Sequence, residues 1–174
     1  SKASDLERLN ILVMGIGGKH YLSRTETITA TDQEIWNSRP VLLAVQEPEV
    51  LHYTYSHGAY TATGRDTDVI IVSKALYYHE SKEIYGVVLI TLTMDELKRY
   101  YDYFITDNTN MYLVDEENRI ICSGDASKIG TIADSAWYIR AGETDRELFR
   151  MRENGVSLTV MQRELQYLGC RLYG

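Results

Sequence analysis

The segment DVIIVSKALYY at residues 68–78, followed by EIYGVVLITLTMDELKRYY at residues 83–101, decides the predicted fold. Both segments contain long β-branched apolar runs, which are typical of strands. Only residues 79–83 separate them, and these are short and polar, which predicts an antiparallel hairpin. The run at residues 84–92 is almost continuously apolar. We therefore expect it to be a central strand that is covered on both faces.

Three helices are indicated by capping signals, and one of them begins at Thr144, with Glu147 three positions on. Thr93 and Glu96 form a capping box, and residues 97, 100, 101 and 104 place apolar side chains on one helical stripe. Thr31 and Glu34 form a second capping box, which predicts a short helix over residues 31–37 that Pro40 ends.

The remaining elements repeat one plan along the chain. The first part is predicted to contain the end of a helix at residues 1–10, a hairpin from residues 11–14 and 20–23, and strands at 41–45 and 50–55. The second part is predicted to contain strands at 111–114, 119–123, 156–160 and 167–173, with helices around 134–140 and from Thr144 to a stop at Gly155. This order favours an α+β fold with two modules, residues 1–105 and a smaller 106–174, each with an antiparallel sheet of about five strands flanked by helices.

Composition excludes several classes of protein. Apolar residues make up 44% of the 174, which is enough for a packed core. The net charge of −7 and the lack of any Lys/Arg cluster argue against nucleic acid and against an anionic membrane surface. No segment reaches the ~20 apolar residues that span a bilayer. We expect either a complete soluble protein or a domain cut from between membrane spans.

Three segments together resemble the extracellular Cache domains of bacterial receptors: residues 68–78, 83–101 and MYLVDEENRIICSGDASKIGT at 111–131. The end of the chain, YLGCRLYG at 167–174, is similar to the family's last strand. The likeness is closest to Gram-positive sensor histidine kinases. It implies a double Cache (PAS-like) ectodomain with residues 1–105 as the membrane-distal module and 106–174 as the membrane-proximal module.

The resemblance also implies a function. The chain would be the extracellular ligand-sensing domain of a membrane-anchored, homodimeric signal-transduction receptor, a sensor histidine kinase of a two-component system. It would bind a small molecule in the distal module, hold no cofactor and perform no catalysis in this segment. The alternative is a cytoplasmic PAS- or profilin-like interaction module that has no small-molecule ligand.

Cys122 and Cys170 form no CxxC pair, and we expect free buried thiols rather than a disulfide. In the family's usual strand order, the strand at Met111 lies between the strands of the two cysteines. At ~4.8 Å per strand this implies a separation of about 10 Å, which is beyond the reach of a disulfide.

A ligand site is implied by position within the family. Amino-acid-binding members use an Arg and an aromatic residue near a Trp, and Trp36 and Arg39 lie in that region. The family's Asp position falls near Tyr78, and the nearest carboxylate is Glu80, so a small anion or a neutral polar ligand is favoured over a zwitterion. The predicted ligand-binding residues are Trp36, Arg39, Tyr53, Tyr55, Tyr60, Lys74, Tyr78 and Glu80.

Other interpretations of single residues remain open. Trp36 could be a core residue and Arg39 a surface residue. The spacing of His52, His57 and His79 fits no common metal site, so no metal is predicted. No serine lies in a nucleophile-elbow sequence, which argues against a hydrolase.

Overall fold

The computed structural model describes residues 9–165 and 170–174, without the side chain of Tyr100. The chain divides into two compact units, Ser1–Glu96 and Leu97–Gly174, and each contains one five-stranded antiparallel sheet. This confirms the predicted α+β class and its two sheets. The helix predicted at residues 1–10 lies outside the described residues, except for its last two positions. Which unit is nearer the membrane stays a prediction.

The first unit has the sheet order β2-β1-β5-β4-β3. Its central strand, β5, contains the apolar run at residues 84–92, as predicted, and pairs antiparallel with β1 and β4. Two helices, α1 and α2, lie between β2 and β3 in the chain. The elements are β1 (Asn10–Gly15), β2 (His20–Leu22), α1 (Asp32–Trp36), α2 (Arg39–Gln46), β3 (His52–His57), β4 (Asp68–Tyr77) and β5 (Ile84–Thr93). The next helix, α3 (Met94–Tyr101), begins in the first unit and ends in the second.

Both predicted capping boxes are present. The Thr31 amide donates to Glu34 at 2.7 Å, and the Glu34 amide donates to the Thr31 hydroxyl at 3.2 Å. The same reciprocal pair joins Thr93 and Glu96 at 2.9 and 3.2 Å. Each pair satisfies two amides that the first turn of a helix leaves without partners.

The strand predicted at residues 41–45 is wrong, because these residues lie in α2. Pro40 does not end a helix here but occupies the first turn of the next one, where its missing N–H costs nothing. Val41 and Ala44, three residues apart, are both buried, whereas Leu42 and Val45 are exposed. The buried positions therefore follow the period of a helix, which an unbroken apolar run cannot reveal.

The second unit has the order β7-β6-β10-β9-β8. Its elements are β6 (Tyr112–Val114), β7 (Ile120–Ser123), α4 (Ala136–Gly142), β8 (Leu148–Glu153), β9 (Val156–Leu165) and β10 (Cys170–Tyr173). The core lies between the sheet and α4, where Trp137 and Ala141 pack with Val114, Val160 and Tyr173.

The capped helix predicted from Thr144 to Gly155 is also wrong. Residues 148–153 form β8, which pairs with β9 from Leu148 opposite Met161 to Glu153 opposite Val156. Asn154 and Gly155 have φ values of 51° and 82°, so they form the two-residue turn that Asn-Gly favours. The glycine ends a strand here rather than a helix.

The two cysteines lie as the strand-order argument predicts. Cys122 on β7 and Cys170 on β10 are separated by β6, and both are free and buried. We expect two free thiols per chain when the protein is denatured without reductant, and little reaction of the folded protein with a water-soluble thiol reagent. Absence of free thiols in the denatured chain would contradict this strand order.

Candidate functional site

One face of the first sheet is covered by α1 and α2. Val69 and Ile71 of β4 lie on this face, since they pack with Ile35 of α1 and Val41 of α2 in one buried cluster. Side chains alternate between faces along a strand, and directly paired residues share a face. We call this the helix-covered face of the first sheet.

Polar side chains are buried on the helix-covered face at β3 and β4. His52 pairs with Ser73, and Thr54 pairs with Ile71, which places these residues on that face. His52, Thr54 and Ser73 are exposed by only 2%, 6% and 0%. Since burying polar groups costs free energy unless they are hydrogen bonded, each group needs a partner.

Two of these groups find their partners in the chain that carries α2. The Ser73 hydroxyl donates to the carbonyl of Pro40 at 2.7 Å. The His52 Nε2 atom lies 2.9 Å from the carbonyl of Glu47. Because a carbonyl only accepts, His52 must carry a proton on Nε2. The two bonds fix the beginning and the end of α2 against the sheet.

Thr54 differs from its neighbours, because its Oγ1 atom is buried without a hydrogen-bond partner among the described residues. An unsatisfied buried hydroxyl costs about 1–3 kcal/mol. The Thr54 hydroxyl, between the sheet and the helices, is therefore a buried polar group that could still form a hydrogen bond. Buried Oε2 of Glu26, in the segment before α1, also lacks a partner within the described part of the chain.

Tyr60 anchors the segment between β3 and β4 to the helices. Its hydroxyl lies 2.7 Å from the Ser38 hydroxyl, which itself donates to the carbonyl of Ile35 at 2.6 Å. Since Ser38 has one hydroxyl proton, Tyr60 is the donor in this pair. Burial raises the pKa of Tyr60 to about 12, so the donor is neutral at physiological pH.

Two predicted ligand-binding residues lie at the junction of the helices. Trp36, the last residue of α1, is half-buried and packs against the core cluster. Arg39, the first residue of α2, is exposed. Trp36 and Tyr60 both pack in the core cluster on the helix-covered face, whereas Arg39 follows Ser38, the partner of Tyr60, at the start of α2.

The structure separates the other predicted residues from this group. Tyr53 pairs with Val72, and Tyr55 pairs with Ile70, so both tyrosines lie on the opposite face of the sheet from Thr54. Lys74 alternates with Ser73 and so also lies on the opposite face, where its Nζ donates to the carbonyls of Pro48 and Ala75. Tyr53 and Tyr55 therefore do not form one pocket wall with Tyr60.

Tyr78 and Glu80 lie in the turn that joins β4 to β5. Both are exposed, and the Tyr78 ring contacts the ring of Tyr85 in a tilted arrangement, with 4.8 Å between the centroids. The Tyr78 amide donates to the carbonyl of Glu83, which closes the turn. These contacts of Tyr78 all lie within the β4–β5 hairpin.

His52 and Thr54 are not among the residues predicted from the sequence. The alternating pattern HYTYSH at residues 52–57 is visible in the sequence, but either the even-numbered or the odd-numbered residues could face the helices. The prediction places Tyr53 and Tyr55 in the site, whereas β3 directs its smaller polar side chains, such as Thr54, to the helix-covered face.

Two of the histidines whose spacing fits no common metal site, His52 and His57, have separate partners. His57 Nδ1 lies 2.6 Å from Asp68 on an exposed edge, and this hydrogen bond is the main cause that lowers the pKa of Asp68. His52 binds a backbone carbonyl, as described above. Within residues 9–165 and 170–174, no group of three or more His, Cys, Asp or Glu could hold a metal.

The buried tyrosine and thiols predict how stability depends on pH. Burial raises the pKa of Tyr60, Cys122 and Cys170 to about 12. In the unfolded chain such groups ionise near pH ~8.5 for Cys and ~10 for Tyr. The unfolded state then binds fewer protons, so the free energy of unfolding should fall as pH rises from about 9 to about 12. Urea midpoints measured across this range test the prediction, and a constant midpoint would contradict it.

No family model matches the sequence, and no curated protein matches it either. Solved structures do match. The ligand-binding domain of the Pseudomonas fluorescens chemoreceptor CtaA, in complex with L-isoleucine, superposes with a TM-score of 0.65 and 14% identity, over 99% of this chain and 71% of that one. The α+β fold with two five-stranded antiparallel sheets is therefore similar to the fold of this chemoreceptor domain.

Two further chemoreceptor domains also superpose on this chain. The sensory domain of Campylobacter jejuni Tlp3, with isoleucine bound, gives a TM-score of 0.59 at 18% identity, over 98% of this chain and 66% of that one. The ligand-binding domain of Pseudomonas aeruginosa PctB, in complex with L-Arg, gives 0.62 at 10% identity, over 94% and 68%. At such identities the likeness establishes the fold, and function has to be argued from the site.

None of the helices within the described part of the chain is long and apolar enough to cross a membrane.

Proposed function

We propose that this chain is the extracellular ligand-sensing domain of a bacterial transmembrane receptor. The observation that carries the proposal is the extent of the structural match: chemoreceptor sensor domains superpose on 98–99% of the chain, including both sheets. The domain binds a small molecule and performs no chemistry itself. Ligand binding changes the receptor because the ligand binds one conformation better than another.

The ligand binds in the first unit, at the helix-covered face around Thr54. The unsatisfied Oγ1 of Thr54 supports this position, because a ligand that hydrogen bonds to it removes a cost that the empty protein bears. Trp36 adds an aromatic wall, and Arg39 supplies a positive charge at the start of α2. The segment between β3 and β4, which Tyr60 anchors, closes the site.

The ligand is a small anion or a neutral polar molecule rather than an amino acid. CtaA, Tlp3 and PctB are seen with amino acids. Here the predicted counterpart of the family's Asp is Tyr78, which cannot balance an ammonium group, and Glu80 is in the exposed turn between β4 and β5. Arg39 remains as the charged group at the helix junction.

The full-length protein is a membrane-anchored homodimer with a histidine kinase as its output. The resemblance of residues 111–131 to Gram-positive sensor kinases supports this assignment. Apolar segments of ~20 residues on both sides of this domain in the parent gene, followed by a kinase, would establish it. A parent gene without such segments would instead favour a cytoplasmic interaction module.

A thermal-shift screen with separate sets of carboxylic acids, neutral amides and sugars, and amino acids tests the ligand. A compound at 100 times its dissociation constant adds ~2.7 kcal/mol to stability. We expect hits among the first two sets. Hits among amino acids alone would contradict the ligand class, and no hits in any set would contradict ligand sensing.

The Thr54→Val variant tests the position of the site. Since the hydroxyl has no partner among the described residues, its removal should leave the ligand-free protein as stable as before or slightly more so. The affinity for the ligand found by the screen should fall about tenfold.

Ser73→Ala is the matched control, because it removes a hydroxyl that is bonded within the protein and should cost about 1 kcal/mol of stability. Unchanged affinity in Thr54→Val, Trp36→Ala and Arg39→Ala would show that the ligand binds elsewhere.

A further inference from the structure

The second unit contains a cavity of about 850 Å³ on the side of its sheet that α4 covers. Its walls come from β6, the end of β8, β9, β10, the start of α4 and the segment 105–110. This volume is within the range of small-molecule sites. No residue of the cavity belongs to the first unit, so it is distinct from the site around Thr54.

Three aromatic rings form one wall of this cavity. Trp137 lies 4.7 Å from the ring of Tyr112 and 5.2 Å from the ring of Tyr173, measured between centroids. Trp137 and Tyr173 are exposed by only 8% and 2%. Buried contacts hold these rings in place, so the aromatic wall exists before any ligand arrives.

The charged residues of the cavity are all acidic. They are Asp107, which is exposed, and Glu153, which is half-buried, and no Lys, Arg or His among the described residues lines it. Glu153 Oε1 accepts from the amide of Ala136 at 3.2 Å, and neither carboxylate forms an ion pair with another residue that the structure describes. The remaining polar lining consists of hydroxyl and amide groups, which carry no charge.

We propose that this cavity binds a small organic cation with an alkylammonium group. Aromatic faces attract such cations, and carboxylates nearby add an attraction that an aromatic wall alone lacks. An anionic ligand would meet two carboxylates and no cation from the described residues. The inference is independent of the proposed function, since it concerns another unit and the opposite ligand charge.

Choline and its neutral isostere 3,3-dimethylbutan-1-ol are the probes. The chain has two tryptophans, Trp36 and Trp137. In a Trp36→Phe protein, the tryptophan fluorescence therefore reports on Trp137 in the cavity wall. We expect saturable choline binding that changes the Trp137 emission, with the isostere at least about tenfold weaker. Equal binding of the two probes, or no saturable change with choline, would overturn the proposal.

Two conservative variants locate the cation. Asp107→Asn and Glu153→Gln keep the side-chain shapes, and the amide oxygen introduced by Glu153→Gln could still accept from the Ala136 amide. Each variant should weaken choline by about threefold to tenfold without weakening the isostere. The control is Asp145→Asn, which removes the same charge from an exposed position outside the cavity lining. A control effect as large as that of the two variants would indicate general electrostatics and overturn the site.

Discussion

Gly86→Val should destabilise the first unit by about 3 kcal/mol or prevent it from folding. Gly86 lies in β5 between β1 and β4, opposite Gly15 and Leu76. A Cβ at this position would lie 2.7 Å from the backbone oxygen of Met14 and 3.5 Å from Leu76 Cδ1. The first contact is with backbone, so β1 would have to move away from the central strand.

The matched control is Gly142→Ala at the end of α4, where a new Cβ meets nothing within 4 Å. This variant should stay within about 0.5 kcal/mol of the wild type. Urea unfolding followed by circular dichroism measures both. Wild-type stability of Gly86→Val would show that β1 and β5 are not paired in this register.

Tyr173→Ala should destabilise the second unit by about 3–5 kcal/mol, the usual cost of removing a large buried aromatic side chain. Tyr173 is 2% exposed, and its ring contacts those of Trp137 and Tyr138 at 5.2 and 5.4 Å. Its loss leaves a hole in the middle of the core between the sheet and α4.

Tyr103→Ala is the control for the size of the side chain, since Tyr103 is 89% exposed. It should change the unfolding free energy by no more than about 0.5 kcal/mol. In a Trp36→Phe background, the Trp137 fluorescence follows the second unit during denaturation. Equal stability of the two variants would mean that β10 does not close this core.

The sequence predicted those elements whose signals are local and unambiguous. The β4–β5 hairpin, the central position of β5, and the two capping boxes at Thr31 and Thr93 are all confirmed. Each depends on neighbouring residues: an apolar run with turn residues, or a hydroxyl and a carboxylate three positions apart. Tertiary structure did not override these elements, but it did override the same hydroxyl–carboxylate spacing at Thr144 and Glu147, where residues 148–153 pair as β8 with β9.

The errors arose where one signal serves two structures. Pro40 can end one helix or begin another, and Gly155 can follow a helix or complete an Asn-Gly turn. Packing decides between these alternatives: α2 buries Val41 and Ala44, and β8 pairs with β9.

The candidate site was harder to predict than the fold. Side chains alternate between the two faces along a strand, so a shift of one residue exchanges the faces. In β3, Tyr53 and Tyr55 lie away from the helices, and Thr54 lies towards them. No pattern within β3 identifies the inward face. The unsatisfied hydroxyl of Thr54 can be recognised only when its surroundings are known.

Amide hydrogen exchange, measured with and without the ligand found by the screen, tests the central claim most directly. If the chain senses a small molecule at the helix-covered face, exchange should slow in α1, α2, β3 and residues 58–68, and should change little in β8 and β9 of the second unit. Slowing confined to the second unit, or no change at ligand saturation, would contradict the account.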